Sequence, residues 1–307
     1  MKTLSLTRYS EKYFDLANVP ADICLHEITA EDCRLPKRPR VSHKYSYGRA
    51  LIIAGARGYA GAPTLAANAC ERSGAGLTQL MVPESIYPIA ALRCDGAVVL
   101  PLPAAKDGGF AALAAAQAED ALSKANAVLI GPGLGTGPEA KELVKVVLQN
   151  AVCPLIVDAD GLRVFADEPA LLDACRVPLL LTPHEGEFKR LGGDLTRGRL
   201  AGALRFTAEH PEPILILKGY GSLICRRDDI TVNPSGGPAM AKGGSGDVLG
   251  GMLCALLVQG FEPEFAARTA VYLHGLAGDF AVRELGEYSL APSDLIRYLP
   301  QVFRTVS

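Results

Sequence analysis

The sequence predicts an α/β fold built on a central, mostly parallel sheet with helices on both faces. Three observations predict it. Apolar runs of strand length recur along the chain, and segments of helical length separate most of them. Five of the runs end in glycine, polar or charged residues. Strands buried on both faces read as continuous apolar runs, and strand–helix alternation lays the helices over both sides. At 307 residues the chain has room for one large or two medium domains, and no second boundary is visible.

Residues 1–42 differ from the rest. They carry charges of both signs and then the Pro-rich basic run "RLPKRPRVSHK", Arg34 to Lys44. They read as an N-terminal arm ending in an extended connector, either a solvated linker or a segment whose last residues attract a phosphate-rich ligand. The domain proper is expected over 43–307. Its strands are expected at Ala50–Gly55, Leu77–Val82, Ala97–Leu100, Ala127–Gly131, Pro154–Asp158, Pro178–Thr182 and Ile214–Lys218. Helices are expected at Pro63–Ser73, Gly109–Lys124 and Pro138–Asn150. The stretch "GSLICRRDDITVN" reads as a hairpin with strands near Ser222–Cys225 and Asp229–Val232, followed by helices over Ser245–Gln259 and Pro263–Phe280.

Composition narrows the function. The chain is 49% hydrophobic and 21% charged, ordinary for a globule with a sizeable core. A net charge of −2 gives no global basic field, and aromatics are 6% with no Trp, so no nucleic-acid partner is expected. No segment reaches the ~18 continuous apolar residues of a membrane span. The opening "MKTLSLTRYSEKYFDL" has no apolar signal-peptide core, so a cytoplasmic location is expected. Eight cysteines are scattered without a C-x-x-C pair and read as reduced thiols packed as small apolar groups.

In open α/β sheets ligands sit beyond the C-terminal strand ends. Those ends carry "GARGYAGAP", "GPGLGTG", "DADG", "TPHEGEF" and "KGYGS". The later stretch "AKGGSGDVLGGM", Ala241 to Met252, suits an anion: consecutive glycines let backbone N–H groups converge where a helix begins. Asp247, in the first turn of that helix, is either its cap or a base that takes a proton from a substrate hydroxyl as phosphate arrives. "KGYGS" is either a phosphate or ribose cradle or a tight turn opening the hairpin, and Lys218 either a phosphate contact or a lysine with a buried stem. His184 is either a hydrogen-bonding substrate contact or part of a polar loop capping the helix Glu185–Leu191. No second histidine lies near it in sequence, so no metal ligands are assigned. Gly55, Gly58 and Gly61 do not keep the dinucleotide-binding spacing, and no phosphate-binding G-x-x-x-x-G-K-[ST] occurs.

The ordered set "HKYSYGRALIIAG", "AGA" (Ala60–Ala62), "RSGAGL", "IGPGLG", "DADGL", "LTPHEGEF", "LKGYGSLI", "NPSGGPAMAKGGSGDVLGG" and "YLHGLAGD" resembles the NAD(P)H-hydrate dehydratases of the ribokinase-like superfamily, over residues 43 to 280. The resemblance implies a ribokinase-like three-layer α/β/α fold. It also implies repair of hydrated NADH or NADPH: ADP or ATP, with Mg²⁺, phosphorylates the hydrate hydroxyl and phosphate then leaves. By that resemblance Asp247 is the base, and Gly244, Ser245 and Gly246 form the anion hole. Lys218, Gly219, Tyr220, Gly221, Ser222 and Gly246 bind the nucleotide. Ala62, Gly133, Gly135, His184 and Asp247 contact the hydrated dinucleotide. A homo-oligomer, with a tetramer among its forms, is what the resemblance suggests. The chain departs from the family pattern at Glu185 (commonly Pro), Gly161 (Ala), Ser245 (Thr) and Gly237 (often Asn), and no residues are left for the epimerase domain fused to some members. Two rivals remain: a small-molecule kinase of the same superfamily, acting on a thiazole or pyrimidine alcohol, and a non-catalytic nucleotide sensor.

Overall fold

The apolar runs form a sheet whose side chains alternate between two cores. The computed structural model describes residues 24–307. Its strands are β1 (Cys24–Glu27), β2 (Arg49–Ile53), β3 (Leu77–Pro83), β4 (Val98–Leu102), β5 (Ala127–Ile130), β6 (Leu155–Val157), β7 (Leu179–Leu181), β8 (Ile214–Leu217), β9 (Leu223–Arg226) and β10 (Asp229–Val232). They lie in the order β1-β10-β9-β8-β7-β6-β5-β2-β3-β4. Only β9 runs against its neighbours among the described strands. The hairpin β9–β10 pairs Arg226 with Asp229 across a two-residue turn, with Arg227 in the left-handed region at φ 55°.

Period-two alternation sends Ile52, Leu80, Leu129, Ile156 and Leu180 to one face. There they pack beneath α1 (Gly61–Arg72), α9 (Ser245–Val258), α10 (Pro263–Leu285) and α11 (Pro292–Phe303). Leu51, Ile53, Val128, Ile130, Val157 and Leu181 point the other way, beneath α3 (Leu113–Lys124), α4 (Pro138–Asn150) and α8 (Arg199–Glu209). The result is three α/β/α layers, as expected. Helix α9 is apolar all round because it is buried among the sheet, α1 and α10. The remaining helices are short: α2 (Tyr87–Arg93), α5 (Arg163–Asp167), α6 (Leu171–Ala174) and α7 (Glu185–Arg190). Among the described residues no helix is long and apolar enough to cross a membrane.

Three differences from the sequence reading have physical causes. Part of the expected arm belongs to the sheet: β1 pairs in parallel with β10, and Ile28 and Cys33 are buried. The basic run also touches the domain, since Arg38 donates to Gly74 O and Gln259 Oε1 at 2.6 Å each and lies over the Tyr47 ring. The rest of the arm, residues 1–23, lies outside the described residues. The helix expected from Gly109 begins only at Leu113, because Ala104 and Phe110 form a bridge around Gly108 and Gly109.

Candidate functional site

Parallel strands deliver their C-terminal loops to one edge, and there the structure gathers the glycine-rich segments. Gly244 opens α9 with φ 102°, which favours glycine, and a Cβ on it would lie 2.8 Å from Leu65 Cδ1 of α1. One turn of α9 therefore rests directly on α1. A Cβ on Gly246 would come within 3.2 Å of Lys218 Nζ, so the ammonium lies close against the backbone at the start of α9. Ser245 N donates to Lys242 O at 3.3 Å, which leaves the Gly246 and Asp247 N–H groups of the first turn of α9 near the Lys218 charge, an arrangement that suits an anion.

No side chain caps α9, and Asp247 makes no hydrogen bond among the described residues. The capping alternative for Asp247 therefore finds no partner. Its carboxyl is pushed up to about 7 by burial first and by the Asp158 charge second, with Lys218 pulling the other way. Lys218 Nζ donates to Asp158 Oδ1 at 2.9 Å, and Thr182 Oγ1 donates to the same oxygen at 2.6 Å. Burial alone would lower the lysine, but Asp158, Glu187 and Asp247 hold it above its ordinary value. Asp158 itself is only 1% exposed. His274, on α10, sits close to Lys218 and the Ser245 backbone, and burial lowers its imidazole to about 4.

On the α1 side, Ala62 lies in the first turn of the helix. A Cβ on Gly133 would meet Tyr59 Cβ at 2.8 Å and Ala62 Cβ at 3.2 Å, so these loops are in contact. Gly135 N donates to Asp160 Oδ2 at 3.0 Å. His184 caps α7: its Nδ1 accepts from Gly186 N at 3.0 Å and Glu187 N at 3.2 Å. The cap uses Nδ1 and leaves Nε2 as the ring nitrogen turned outward, toward Glu187 Oε1 at 3.4 Å. His184 also bridges Lys218, whose N–H donates to Pro183 O at 2.8 Å. In "KGYGS" the Ser222 hydroxyl closes its own turn, bonding Gly219 O at 2.9 Å and Gly219 N at 3.2 Å. Gly219 and Gly221 both have positive φ, and Tyr220 is half-exposed beside them. Ser245 Oγ is buried without a partner among the described residues.

The sequence-predicted site residues fall into two groups on this edge: Gly133 against Ala62 with Gly135 bonded to Asp160, and His184 beside Lys218 with Gly246 next to its ammonium, while Asp158, Lys218 and Asp160 act on Asp247. The sequence reading missed Asp158, Asp160, Thr182 and His274 as members of the cluster, although "DADGL", "LTPHEGEF" and "YLHGLAGD" contain them. It also missed Arg199, whose guanidinium donates to Leu217 O at 2.9 Å, to Gly221 O at 3.3 Å and to Tyr220 O, and so holds the loop from beneath. A surface-like Arg in sequence gives no signal for such carbonyl partners.

Fold and site together define a ribokinase-like protein. A ribokinase-like superfamily protein of Enterococcus faecalis superposes with a TM-score of 0.82 at 28% identity, covering 92% of this chain and 96% of that one. The chain belongs to the NAD(P)H-hydrate dehydratase family, whose model matches residues 50–301. The ADP/ATP-dependent NAD(P)H-hydrate dehydratase of Bacillus subtilis, co-crystallised with ATP and Mg²⁺, is 31% identical with a TM-score of 0.78, covering 94% of this chain and all of that one. The bifunctional NAD(P)H-hydrate repair enzyme of Moorella thermoacetica is 38% identical over 286 residues, 91% of this chain. The chain spans only 54% of that relative's length.

Proposed function

We propose that the protein dehydrates the 6-hydroxy hydrate of NADH or NADPH back to the reduced dinucleotide, with ADP or ATP as phosphoryl donor. The observation that carries the reading is Asp247: a half-buried carboxylate with no hydrogen-bond partner among the described residues, pushed up to about 7 at the mouth of a glycine cradle beside Lys218. A base poised near the working pH is what deprotonation of a hydroxyl requires.

Asp247 takes the proton of the C6 hydroxyl, whose oxygen attacks the terminal phosphorus of the nucleotide. The bond from that phosphorus to the bridging oxygen breaks, leaving AMP from ADP or ADP from ATP. Charge developing on the transferring group meets the N–H groups of Gly244 and Gly246 and the Lys218 ammonium, Ser245 N being held by Lys242 O. The C6–O bond then breaks with phosphate as leaving group, and loss of the C5 proton restores the C5=C6 double bond. Magnesium comes with the nucleotide as part of the co-substrate, carried on its phosphate oxygens. The loop Lys218–Ser222 serves the nucleotide, and Ala62, Gly133, Gly135 and His184 serve the dinucleotide, with His184 offering its outward Nε2. The location is proposed as cytoplasmic and the assembly as a homo-oligomer.

The test is recovery of absorbance at about 340 nm from NADH hydrate with ADP or ATP and Mg²⁺. Restored absorbance with equimolar free phosphate is expected. Phosphate retained on an organic product would mark a small-molecule kinase instead, and no turnover with either nucleotide would overturn the dehydratase reading. Asp247→Asn should lower the rate by about 10²–10⁴ while nucleotide still binds.

A further inference from the structure

The group beneath the cradle has a member that the proposed reaction does not use. Asp158 follows β6, is 1% exposed, and receives both Lys218 Nζ (2.9 Å) and Thr182 Oγ1 (2.6 Å) on Oδ1. Its other oxygen faces α9: a Cβ on Gly250, one turn beyond Asp247, would lie 3.9 Å from Oδ2. The backbone around it is fixed as well, since Asp158 N donates to Ile130 O and Gly161 N donates to Asp158 O, both at 3.0 Å. A buried carboxylate so placed between a lysine and the base-bearing helix has a defined orientation and one charged partner, the Lys218 ammonium.

We propose that Asp158 is a positioning residue for phosphoryl transfer: it anchors Lys218 Nζ under Gly246, where the ammonium meets the transferring phosphoryl group, and Thr182 holds Asp158 in turn. The proposal rests on the dehydratase reading above. An unanchored lysine would swing to the nucleotide's bound phosphates or to solvent, so the ground state would still bind while the transition state lost its counter-charge. The Asp158 charge also faces Asp247 and opposes its ionisation. The other charged or titratable groups around Asp247 are Lys218 at the end of β8, Asp160 after β6, Glu187 on α7 acting on Lys218, and His274 on α10, neutral above about pH 4.

The experiment compares wild type, Asp158→Asn and Thr182→Val. Each is checked for folding by circular dichroism and for MgADP binding by calorimetry, then assayed on NADH hydrate across the neutral range. Asp158→Asn should cut kcat about 10²-fold, the scale of a catalytic group displaced by ~1 Å, with MgADP affinity changed less than about threefold. Its acidic limb of kcat/KM should move to lower pH by about one unit, which a merely structural defect would not do. Thr182→Val should lower kcat by roughly three- to tenfold without weakening MgADP. If Asp158→Asn keeps kcat, loses nucleotide affinity in step with kcat, or leaves the limb in place, the assignment falls. If that variant does not fold, an unchanged kcat in Thr182→Val overturns it. A silent wild type overturns the dehydratase reading and this inference together, whereas an active wild type with an unaffected Asp158→Asn overturns the inference alone.

Discussion

Asp247 serves two opposed ends. In the base role proposed for it the carboxylate must be ionised, yet burial and the Asp158 charge raise it from 3.8 to about 7. The folded protein therefore holds a proton there that the unfolded chain has already released. Stability from this group is greatest below about pH 4, declines as pH rises, and stays low once pH passes about 7. The full displacement is worth on the order of 4 kcal/mol, an upper figure because the carboxylate is only half-buried. Activity runs the other way: kcat/KM should fall as pH drops below about 7, and His274, titrating near 4, does not compete for that limb. Asp247→Asn should thus be inactive yet more stable than wild type above pH 7, by about 1–4 kcal/mol in urea unfolding, with the two curves converging toward pH 4. Equal stabilities at pH 8 would show that the carboxylate is not strained by its surroundings.

Helix α8 shows how far single elements were legible. Its first residue, Arg199, is 3% exposed and supports the backbone of the Lys218–Ser222 loop through Leu217, Tyr220 and Gly221. Glu185, which stands where the family commonly has Pro, lies with Oε1 3.2 Å from Arg199 Nε. The departure thus supplies a counter-charge that ties the start of α7 to α8. A planar fork reaching several carbonyls cannot be replaced by an ammonium. Arg199→Lys should raise the KM for ADP about five- to fiftyfold, the equivalent of one to two buried hydrogen bonds, with kcat changed less than about threefold. A fall in kcat with KM unchanged would place Arg199's effect on the chemistry instead. Apolar runs revealed β2 and β5 to β8 because burial on both faces leaves a mark on nearly every residue, and β4, though at the sheet edge and partly exposed, keeps an apolar run as well. Strand β1, "CLHE", is short and half polar, and it exists through pairing with β10, about two hundred residues away in sequence. Helices α8 and α11 escaped for a related reason. Helix α11 carries Pro300 within it, a breaker by local rules, and is held by Leu295, Leu299 and Val302 buried against the α1–α10 layer.

The site is assembled by the packing of the whole α/β/α molecule, and this too was only half visible in the sequence. Parallel topology dictated that the loops after β2, β5, β6, β7 and β8 share an edge. It did not reveal how deep Asp158 and Lys218 lie, since depth depends on how closely α9 approaches its neighbours. Gly251 sets that approach: a Cβ there would stand 2.1 Å from Ala66 O and 3.0 Å from Ala69 Cβ, so α1 and α9 touch backbone to side. Neither helix can yield locally, because both are packed on the sheet through β2, β3 and β5. Gly251→Ala must therefore push α9 away as a rigid body, and Asp247 and the glycine cradle, one turn up the same helix, travel with it. Overpacking of this kind costs about 1–3 kcal/mol, and a ~1 Å displacement of the base costs about 10² in rate. Both losses are expected together in Gly251→Ala, read by urea unfolding and by kcat. Gly237 is the control: among the described residues nothing beyond its chain neighbours lies within 4 Å of a Cβ there, so Gly237→Asn should leave stability within about 0.5 kcal/mol of wild type. A Gly251→Ala protein that is destabilised yet fully active would show that the site's geometry is independent of the α1–α9 contact.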